Sequence, residues 1–220
     1  GVNTLTAAAA PLLQAHALAG QRGERVLFRG LDLSLAQGEV VWLRGRNGRG
    51  KTTLLRLLAG LSTPAEGEIH VAGQPRRGSE WRAELLYIAH ANALKDDLNA
   101  LEALAFIAQL RGPAIDTARL RGALQRLGVA HCARLPVRGL SQGQRRRVAL
   151  ARLALVPAPR LWLLDEPFDA LDDDGIGTLN GLLADHAAAG GTALLTSHQA
   201  LSLRDPVPRT VDLDTWAVRA

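Results

Sequence analysis

The sequence predicts an α/β fold with a mostly parallel sheet. Short apolar runs alternate along the chain with stretches of helical periodicity. One run leads into a glycine-rich turn at Gly45, and two others end where acidic or hydroxyl residues begin. Polar residues collect in this way at the carboxyl edge of a parallel sheet, where α/β folds bind their ligands.

Length and composition predict one domain spanning residues 1–220. The chain has 220 residues, of which 47% are hydrophobic and only 4% aromatic, so a single core rich in Leu, Val, Ile and Ala is expected. Residues 1–10 are expected to be a loose leader. We place the α/β core at about 11–74 and 155–220, and a helical subdomain at about 75–154.

Three apolar runs predict buried strands at Glu39–Arg44, Leu161–Leu164 and Thr192–Thr196. Each is followed by polar or glycine residues, as expected where a buried parallel strand ends. A helix is predicted from about Gly50 to Ala59, with Gly60 as its stop.

The stretch from about Gln74 to Ala154 has a helical pattern. Between Leu120 and Leu127, leucines recur at i, i+4 and i+7. Asp116 or Thr117 is the predicted N-cap, and Gly128 follows the predicted end. We therefore expect a helical insertion packed on the α/β core.

Charge and cysteine content narrow the functional classes. Lys+Arg 26 against Asp+Glu 21 gives a net charge of +5, but the arginines are scattered and not interleaved with aromatic residues, so no nucleic-acid partner is expected. Cys132 is the only cysteine, which fits a reducing compartment.

No targeting or membrane-spanning segment is expected. The Ala/Leu-rich stretch Leu5–Ala19 lacks a basic start and is interrupted by Pro11, Gln14 and His16. No run reaches the roughly 18–20 apolar residues that span a bilayer. Any membrane part must come from other chains.

A phosphate-binding loop follows the first predicted strand. The pattern G-x-x-x-x-G-K-[ST] is matched by Gly45, Arg46, Asn47, Gly48, Arg49, Gly50, Lys51 and Thr52, with Thr53 next in the helix. Glycines let backbone N–H groups turn inward, and the helix start adds positive potential. Lys51 suits the β- and γ-phosphates of a nucleotide, and the Thr52 hydroxyl suits Mg²⁺. An ordinary glycine-rich turn is the alternative.

Two adjacent carboxylates end the strand Leu161–Leu164. Asp165 is predicted to hold Mg²⁺ directly or through water, and Glu166 to orient or deprotonate an attacking water. Solvated acids before the Pro167 turn are the alternative, but the Lys51 loop favours the catalytic interpretation.

The segment Leu140–Arg152 predicts a capped helix start with Ser141 at its positive end. Lying between the phosphate loop and the Asp165 strand, it resembles the LSGGQ signature of the ABC ATPase family, with Ser141, Gln142, Gly143 and Gln144 in the signature positions. The resemblance covers about Leu12 to Leu213 and implies a P-loop NTPase core.

The same resemblance assigns further residues. Asp169 to Asp172 looks like the D-loop, with Asp172 at a subunit contact, and Thr196 to His198 looks like the switch strand, whose His198 contacts the γ-phosphate. The family implies ATP and Mg²⁺ as cofactors, and a homodimer in which the signature of one subunit closes on the nucleotide of the other.

Four positions depart from the family pattern. Arg22 stands where an aromatic usually stacks on adenine; it is either a stacking guanidinium or a solvated loop residue. His90 replaces the Q-loop glutamine and is expected to accept from water or approach Mg²⁺. Gln142 replaces the first signature glycine, and Arg49 is bulky for a phosphate loop and expected to point outward.

Within the family, the chain is similar to the cytochrome c maturation (heme exporter) ATPases, the CcmA branch. Their likeness lies in Arg22–Arg25, His90, Asn99–Leu104 and Leu161–Phe168, together with the run Gln144–Arg152. This implies a peripheral subunit at the cytoplasmic face of a bacterial inner membrane, with CcmB-like and CcmC-like membrane subunits, that moves heme or releases a heme-loaded chaperone. The alternatives are the ATPase of another small-molecule transporter and a soluble ABC protein acting on DNA or ribosomes.

Overall fold

A computed structural model describes residues 11–46, 48, 50–109, 114–155 and 158–219. The predicted leader at 1–10 lies outside these residues. The strands are β1 (Leu13–Arg22), β2 (Arg25–Leu35), β3 (Val40–Arg44), β4 (Glu66–Val71), β5 (Gln74–Pro75), β6 (Leu85–Ile88), β7 (Leu161–Leu164), β8 (Thr192–Thr196) and β9 (Arg209–Asp212). The α-helices are α1 (Lys51–Leu58), α2 (Ala100–Gln109), α3 (Thr117–Arg126), α4 (Gln142–Leu150) and α5 (Asp173–Ala188).

Five strands form a parallel sheet in the order β6-β7-β8-β3-β9. All four residues of β7 are buried: Leu161 and Leu163 join the core on one face, and Trp162 and Leu164 join the core on the other. A strand covered on both faces reads as a continuous apolar run. The predicted α/β class is confirmed, and β7 and β8 have the predicted bounds.

A second, antiparallel sheet with the order β2-β1-β4-β5 was not predicted. Leu13, Leu31 and Leu35 from its strands pack in one core with Leu54 of α1 and Leu163 of the parallel sheet. The parallel arrangement therefore holds for the five-stranded sheet and not for the sheet that β1, β2, β4 and β5 form. The sequence signal of β1 is weak because register shifts interrupt its alternation of buried and exposed residues.

The stretch expected to be helical contains a strand. Residues 85–88 form β6, the edge strand paired with β7, so the helical expectation is wrong at these positions. A run of four apolar residues is too short for its periodicity to separate strand from helix. Farther along, Asp116 caps α3 by accepting from the Arg119 backbone N–H at 2.8 Å, and Gly128 lies just past the end with a left-handed backbone.

The topology brings three polar chain segments together. In the sheet, β3, β8 and β7 are consecutive neighbours, and all three run parallel. The glycine-rich loop follows β3, Asp165 and Glu166 follow β7, and His198 follows β8. Because parallel strands end at the same edge, the predicted site residues meet there.

Candidate active site

The loop between β3 and α1 has an anion-binding architecture. Gly50 precedes α1 with φ 99°, and a Cβ there would lie 3.1 Å from the Phe28 ring, so both the dihedral angle and the space require glycine. Lys51 Nζ donates across the loop to the Gly45 carbonyl at 2.7 Å. The ammonium group is thereby held over the start of α1, where unpaired N–H groups favour a phosphate.

Asp165 is bonded from two neighbouring elements. Its Oδ2 accepts from the Thr52 hydroxyl at 2.8 Å, and its Oδ1 accepts from the Thr196 hydroxyl at 2.9 Å. The residue is buried. The carboxylate is therefore fixed in orientation by α1 on one side and β8 on the other, with the Thr52 and Asp165 oxygens adjacent.

Glu166 lies in a left-handed backbone conformation with φ 51°, and its N–H donates to the Thr196 hydroxyl at 2.8 Å. Its side chain is buried, and burial raises the pKa of the carboxyl above its usual value. His198 opposes this effect: its backbone N–H donates to Glu166 Oε2 at 3.1 Å, and its Nε2 lies 3.3 Å from Oε1. A raised pKa at a cleft carboxyl is typical of a general base.

These groups surround a cleft of about 230 Å³. Its lining residues were all predicted as site residues: Arg22, Gly48, Gly50, Lys51, Thr52, His90, Asp165, Glu166 and His198. Cationic and glycine-backbone groups come from the loop side, and carboxylates from the end of β7. Such a cleft can bind a phosphate chain and present a carboxylate to a water molecule.

Arg22 and His90 both line the cleft. Arg22 ends β1 and is exposed. His90 follows β6, and its Nε2 lies 2.7 Å from Asp169 Oδ2. The stacking role of Arg22 and the water-binding role of His90 stay predictions.

The remaining loop residues lie beside this cleft. Gly45 and Arg46 line a neighbouring cavity of about 540 Å³, to which Lys51 and His198 also contribute. The Arg46 N–H donates to the Asp214 carboxylate at 3.3 Å. Thr53, half-buried in α1, is not among the described residues that line either cavity. Two predicted residues, Asn47 and Arg49, lie outside the described part of the chain.

Ser141, Gln142, Gly143 and Gln144 do not line the described walls of the cleft. They form the start of α4, where the Gln144 N–H donates to Ser141 Oγ at 3.1 Å and the Ser141 N–H donates to Gln144 Oε1 at 2.9 Å. This reciprocal capping box fixes the helix start, and the serine O–H can still donate outward.

Asp172 is also placed away from the cleft. It caps α5 by accepting from the Gly175 N–H at 2.8 Å, and it accepts from Arg147 at 2.8 Å. These two contacts lower the pKa of its carboxyl. Within one subunit Asp172 thus joins α5 to α4, and a contact with a second subunit stays a prediction.

Arg146 is the residue that the sequence reasoning missed most clearly. It is 2% exposed, and its guanidinium donates to the carbonyls of Glu166 at 2.8 Å and Asp165 at 3.2 Å, and to Asn92 Oδ1 at 2.9 Å. Burial lowers its pKa, and the surrounding carboxylates oppose that effect. Three consecutive arginines read as a solvated face; only the spacing to buried Ala149 and Leu150, at i+3 and i+4, signals the difference.

Thr196 and Asp169 were quoted within motifs but not as site residues. Thr196 bonds both carboxylate residues, as described above, and Asp169 contacts His90. A sequence shows that a hydroxyl ends a strand, but it does not show which neighbouring strand lies within its reach.

No helix within the described ranges is long and apolar enough to cross a bilayer.

A model of the ABC transporter family matches residues 28–169. A protein from Nitrosococcus oceani, named cytochrome c biogenesis ATP-binding export protein CcmA, is 48% identical over 202 residues, covering 91% of this chain and 92% of its own. A protein of the same name from Methylococcus capsulatus is 50% identical over 186 residues, covering 83% and 89%.

Solved structures agree on the fold. A protein from Pyrococcus furiosus, described as an ABC transporter ATP-binding protein, superposes with a TM-score of 0.80 at 24% identity, covering 94% of this chain and 99% of its own. An ATP-binding cassette in a dimeric post-hydrolysis state, bound to ADP and Pi, superposes with a TM-score of 0.74 at 25% identity, covering 85% and 88%.

Proposed function

Because this chain belongs to the ABC transporter family, and to the branch of the CcmA proteins within it, we propose that it is the ATP-hydrolysing subunit of an export complex for cytochrome c biogenesis. The observation that carries the catalytic part is the convergence of Lys51, Thr52, Asp165, Glu166 and His198 on one cleft. The biogenesis part is supported by the sequence identity of 48% and 50% to the named relatives, over most of both chains.

The phosphate loop binds the nucleotide in this proposal. Lys51 pairs with the β- and γ-phosphates, and the backbone N–H groups from Gly45 to Thr53 surround the phosphate chain. Arg22 covers the adenine ring. His198, beside the cleft carboxylate, contacts the γ-phosphate.

Thr52 and Asp165 fit Mg²⁺. Two adjacent ligands of an octahedral Mg²⁺ lie about 2.9 Å apart, since each bond is about 2.0–2.1 Å long, and the Thr52 and Asp165 oxygens lie 2.8 Å apart. The bound ion would neutralise phosphate charge. Glu166 takes the proton of the attacking water or orients it, and His90 helps to hold that water.

The signature acts in a second subunit. Ser141, Gln142, Gly143 and Gln144 close on the partner's γ-phosphate, and Asp172 contacts the partner near its phosphate loop. This supplies charge from both sides and excludes water. The homodimer associates with CcmB-like and CcmC-like subunits at the cytoplasmic face of the inner membrane, where its hydrolysis moves heme or releases a heme-loaded chaperone.

Complementation between two inactive variants tests the shared site. Lys51→Ala removes the phosphate cation, and Ser141→Arg blocks the signature, so each homodimer should be inactive. In an equal mixture, each dimer that combines both variants has one intact site, so ATPase activity should return, up to about one quarter of the parent's activity if the variants pair at random. A mixture with no more activity than its components contradicts the shared site.

The biogenesis assignment is tested in a bacterial host that lacks its own maturation ATPase. This gene with its membrane partners should restore covalent heme on c-type cytochromes, read by heme staining of denatured periplasmic extracts. The Glu166→Gln form should assemble with the membrane subunits but fail to restore staining. If the organism matures its cytochromes c normally with this gene deleted and no second copy present, the assignment fails, whereas the ATPase assignment does not.

A further inference from the structure

Three metal-ligating side chains meet at the rim of the cleft. Ligand atoms of Glu166, Asp169 and His198 all lie within 4.8 Å of one another. Among the residues that the structure describes, no other three His, Cys, Asp or Glu side chains come this close.

The spacing suits a tetrahedral metal ion. Bonds of about 2.0–2.2 Å from Zn²⁺ to histidine nitrogen and carboxylate oxygen separate neighbouring ligands by about 3.4 Å. His198 Nε2 and Glu166 Oε1 lie 3.3 Å apart. These two atoms already have the separation of two ligands on one zinc ion.

His90 adds a second imidazole to the cluster. Its Nε2 lies 2.7 Å from Asp169 Oδ2, so it engages one carboxylate oxygen and leaves Oδ1 for an ion. A histidine bonded in this way orients a ligating carboxylate. The side chains of His90, Asp169 and His198 are 63%, 44% and 52% exposed, which gives an ion a direct path from solvent.

The chemistry of this cluster differs from that of the Thr52 and Asp165 pair. That pair offers only oxygen atoms, which Mg²⁺ prefers. Imidazole nitrogen mixed with carboxylates favours Zn²⁺ and its neighbours in the transition series over Mg²⁺. The Glu166 side chain is only 8% exposed, and a buried carboxylate is stabilised by a nearby cation.

We propose that Glu166, Asp169 and His198, supported by His90, form a binding site for a divalent transition-metal ion of the Zn²⁺ class in the nucleotide-free protein. The bound ion occupies the carboxylate and imidazole that the proposed ATPase chemistry needs, so it is an inhibitor and not a cofactor. Metal and Mg-ATP then weaken each other's binding, because both use the same residues.

Cobalt serves as the spectroscopic probe. The full chain, freed of metal by a chelator and without nucleotide, is titrated with Co²⁺ while visible absorption is recorded, and Zn²⁺ is then added as competitor. One equivalent should give the intense bands of tetrahedral nitrogen and oxygen coordination, and Zn²⁺ should abolish them. The absence of saturable bands overturns the proposal.

Variants locate the ion. His198→Gln and Asp169→Asn should each weaken cobalt binding by at least about tenfold, and His90→Gln by about 10- to 100-fold as the loss of a supporting partner. The matched controls are His131→Gln, an exposed histidine, and His70→Gln, whose Nε2 lies 3.1 Å from Glu68 in another His–carboxylate pair. Both controls should bind cobalt as the parent does; loss of binding in His70→Gln, or none in His198→Gln and Asp169→Asn, overturns the proposal.

Inhibition of ATP hydrolysis is the second readout of metal binding, and this readout rests on the proposed function. With Mg-ATP in excess, Zn²⁺ should inhibit the parent, and His90→Gln should need about 10- to 100-fold more Zn²⁺ relative to its own zinc-free rate. If His90→Gln is inhibited by the same Zn²⁺ concentration as the parent, or by a lower one, Zn²⁺ does not inhibit at this site. A metal-free protein that hydrolyses no Mg-ATP overturns the proposed function instead, and the cobalt titration still decides the metal site.

Discussion

The Thr196 hydroxyl, at the carboxyl end of β8, serves both carboxylate residues of the cleft. It donates to Asp165 and accepts from the Glu166 backbone. Thr192, at the other end of the same strand, is equally buried and donates to the Ala36 carbonyl. One strand therefore carries a threonine at the site and a matched threonine away from it.

We predict that Thr196→Val and Thr192→Val each lower the free energy of unfolding by about 1–3 kcal/mol, because each leaves a buried partner without its hydrogen bond. Only Thr196→Val should lower kcat for ATP, by about 10- to 100-fold, because it alone releases the Asp165 and Glu166 orientation. Urea unfolding and phosphate release measure the two effects. Equal kcat in both variants contradicts this role of Thr196.

The raised pKa of Glu166 makes stability depend on pH. The folded-state pKa lies above the usual value of 4.5, so the folded state binds this proton more tightly than the unfolded state does. The contribution to stability is fully present below pH 4.5 and is lost as pH rises through the folded pKa.

We therefore predict that Glu166→Gln gains stability relative to the parent as pH rises from 4.5 toward neutrality. Urea unfolding over a pH series measures this stability difference. Glu24→Gln changes an exposed side chain, so its stability difference from the parent should depend much less on pH. A Glu166→Gln difference that does not change with pH, or changes with the opposite sign, contradicts the effect of burial.

At the scale of elements, Arg146 joins α4 to two loops. Its guanidinium, on α4, donates to carbonyls after β7 and to Asn92 and nearby carbonyls after β6. The helix that follows Ser141 is thus hydrogen-bonded to the backbone of Asp165 and Glu166 in its own subunit. A shift of α4 on a partner's nucleotide would be felt directly at Glu166.

Arg146→Met should lower the free energy of unfolding by about 2–4 kcal/mol, because several buried carbonyl groups lose their donors. Arg146→Lys should recover only part of this loss, since one ammonium group cannot reach all of the carbonyls. Arg121→Met, on the exposed face of α3, should stay within about 0.5 kcal/mol of the parent. A loss for Arg146→Met no larger than that of Arg121→Met contradicts the linking role.

Substitution by alanine is expected to have opposite effects on stability at two glycines. Gly67, in β4, has φ 89°, and a Cβ there would collide with the Ala17 carbonyl of the neighbouring strand β1, whereas Gly122, in α3, has open space around it. Gly67→Ala should destabilise the antiparallel sheet by more than about 1 kcal/mol, while Gly122→Ala should stabilise the protein by about 1 kcal/mol. Thermal unfolding measures both. A Gly67→Ala variant as stable as the parent would show that β1 tolerates a side chain there, and a Gly122→Ala variant less stable than the parent would contradict the gain expected in α3.

At the scale of the whole molecule, the Ser141 helix start and the Lys51 loop do not share a cleft within the described part of one subunit. In the proposed function they meet across an interface between two subunits. Glu166→Gln should slow hydrolysis while leaving ATP binding intact, so a closed dimer should accumulate.

Light scattering should show Glu166→Gln as a dimer with Mg-ATP and as a monomer without it. Adding Ser141→Arg to Glu166→Gln should abolish the dimer but preserve nucleotide binding, because only the interface is changed. A dimer that forms equally without ATP, or that survives Ser141→Arg, contradicts the proposed assembly.

The sequence by itself determined the local features of this protein. A few consecutive residues encode each of these features: the strand bounds of β7 and β8, the glycine-rich loop after β3, an N-cap of α3 at Asp116 or Thr117, and the Ser141 helix start. Backbone dihedral preference, capping and apolar runs act over such distances, so they can be read without a structure. Six described wall residues of the cleft were predicted from such signals: Gly48, Gly50, Lys51, Thr52, Asp165 and Glu166. Arg22, His90 and His198 were predicted only from the resemblance to the ABC ATPase family.

Only the tertiary structure decided what distant segments share. It made residues 85–88 a sheet strand, formed the antiparallel sheet, buried Arg146 between two loops, and set His90 against Asp169. These outcomes depend on strand pairing and packing between residues far apart in the chain, and the sequence of one segment carries no record of its partner. The burial that raises the pKa of Glu166 has the same origin, because it comes from elements that fold around that carboxylate.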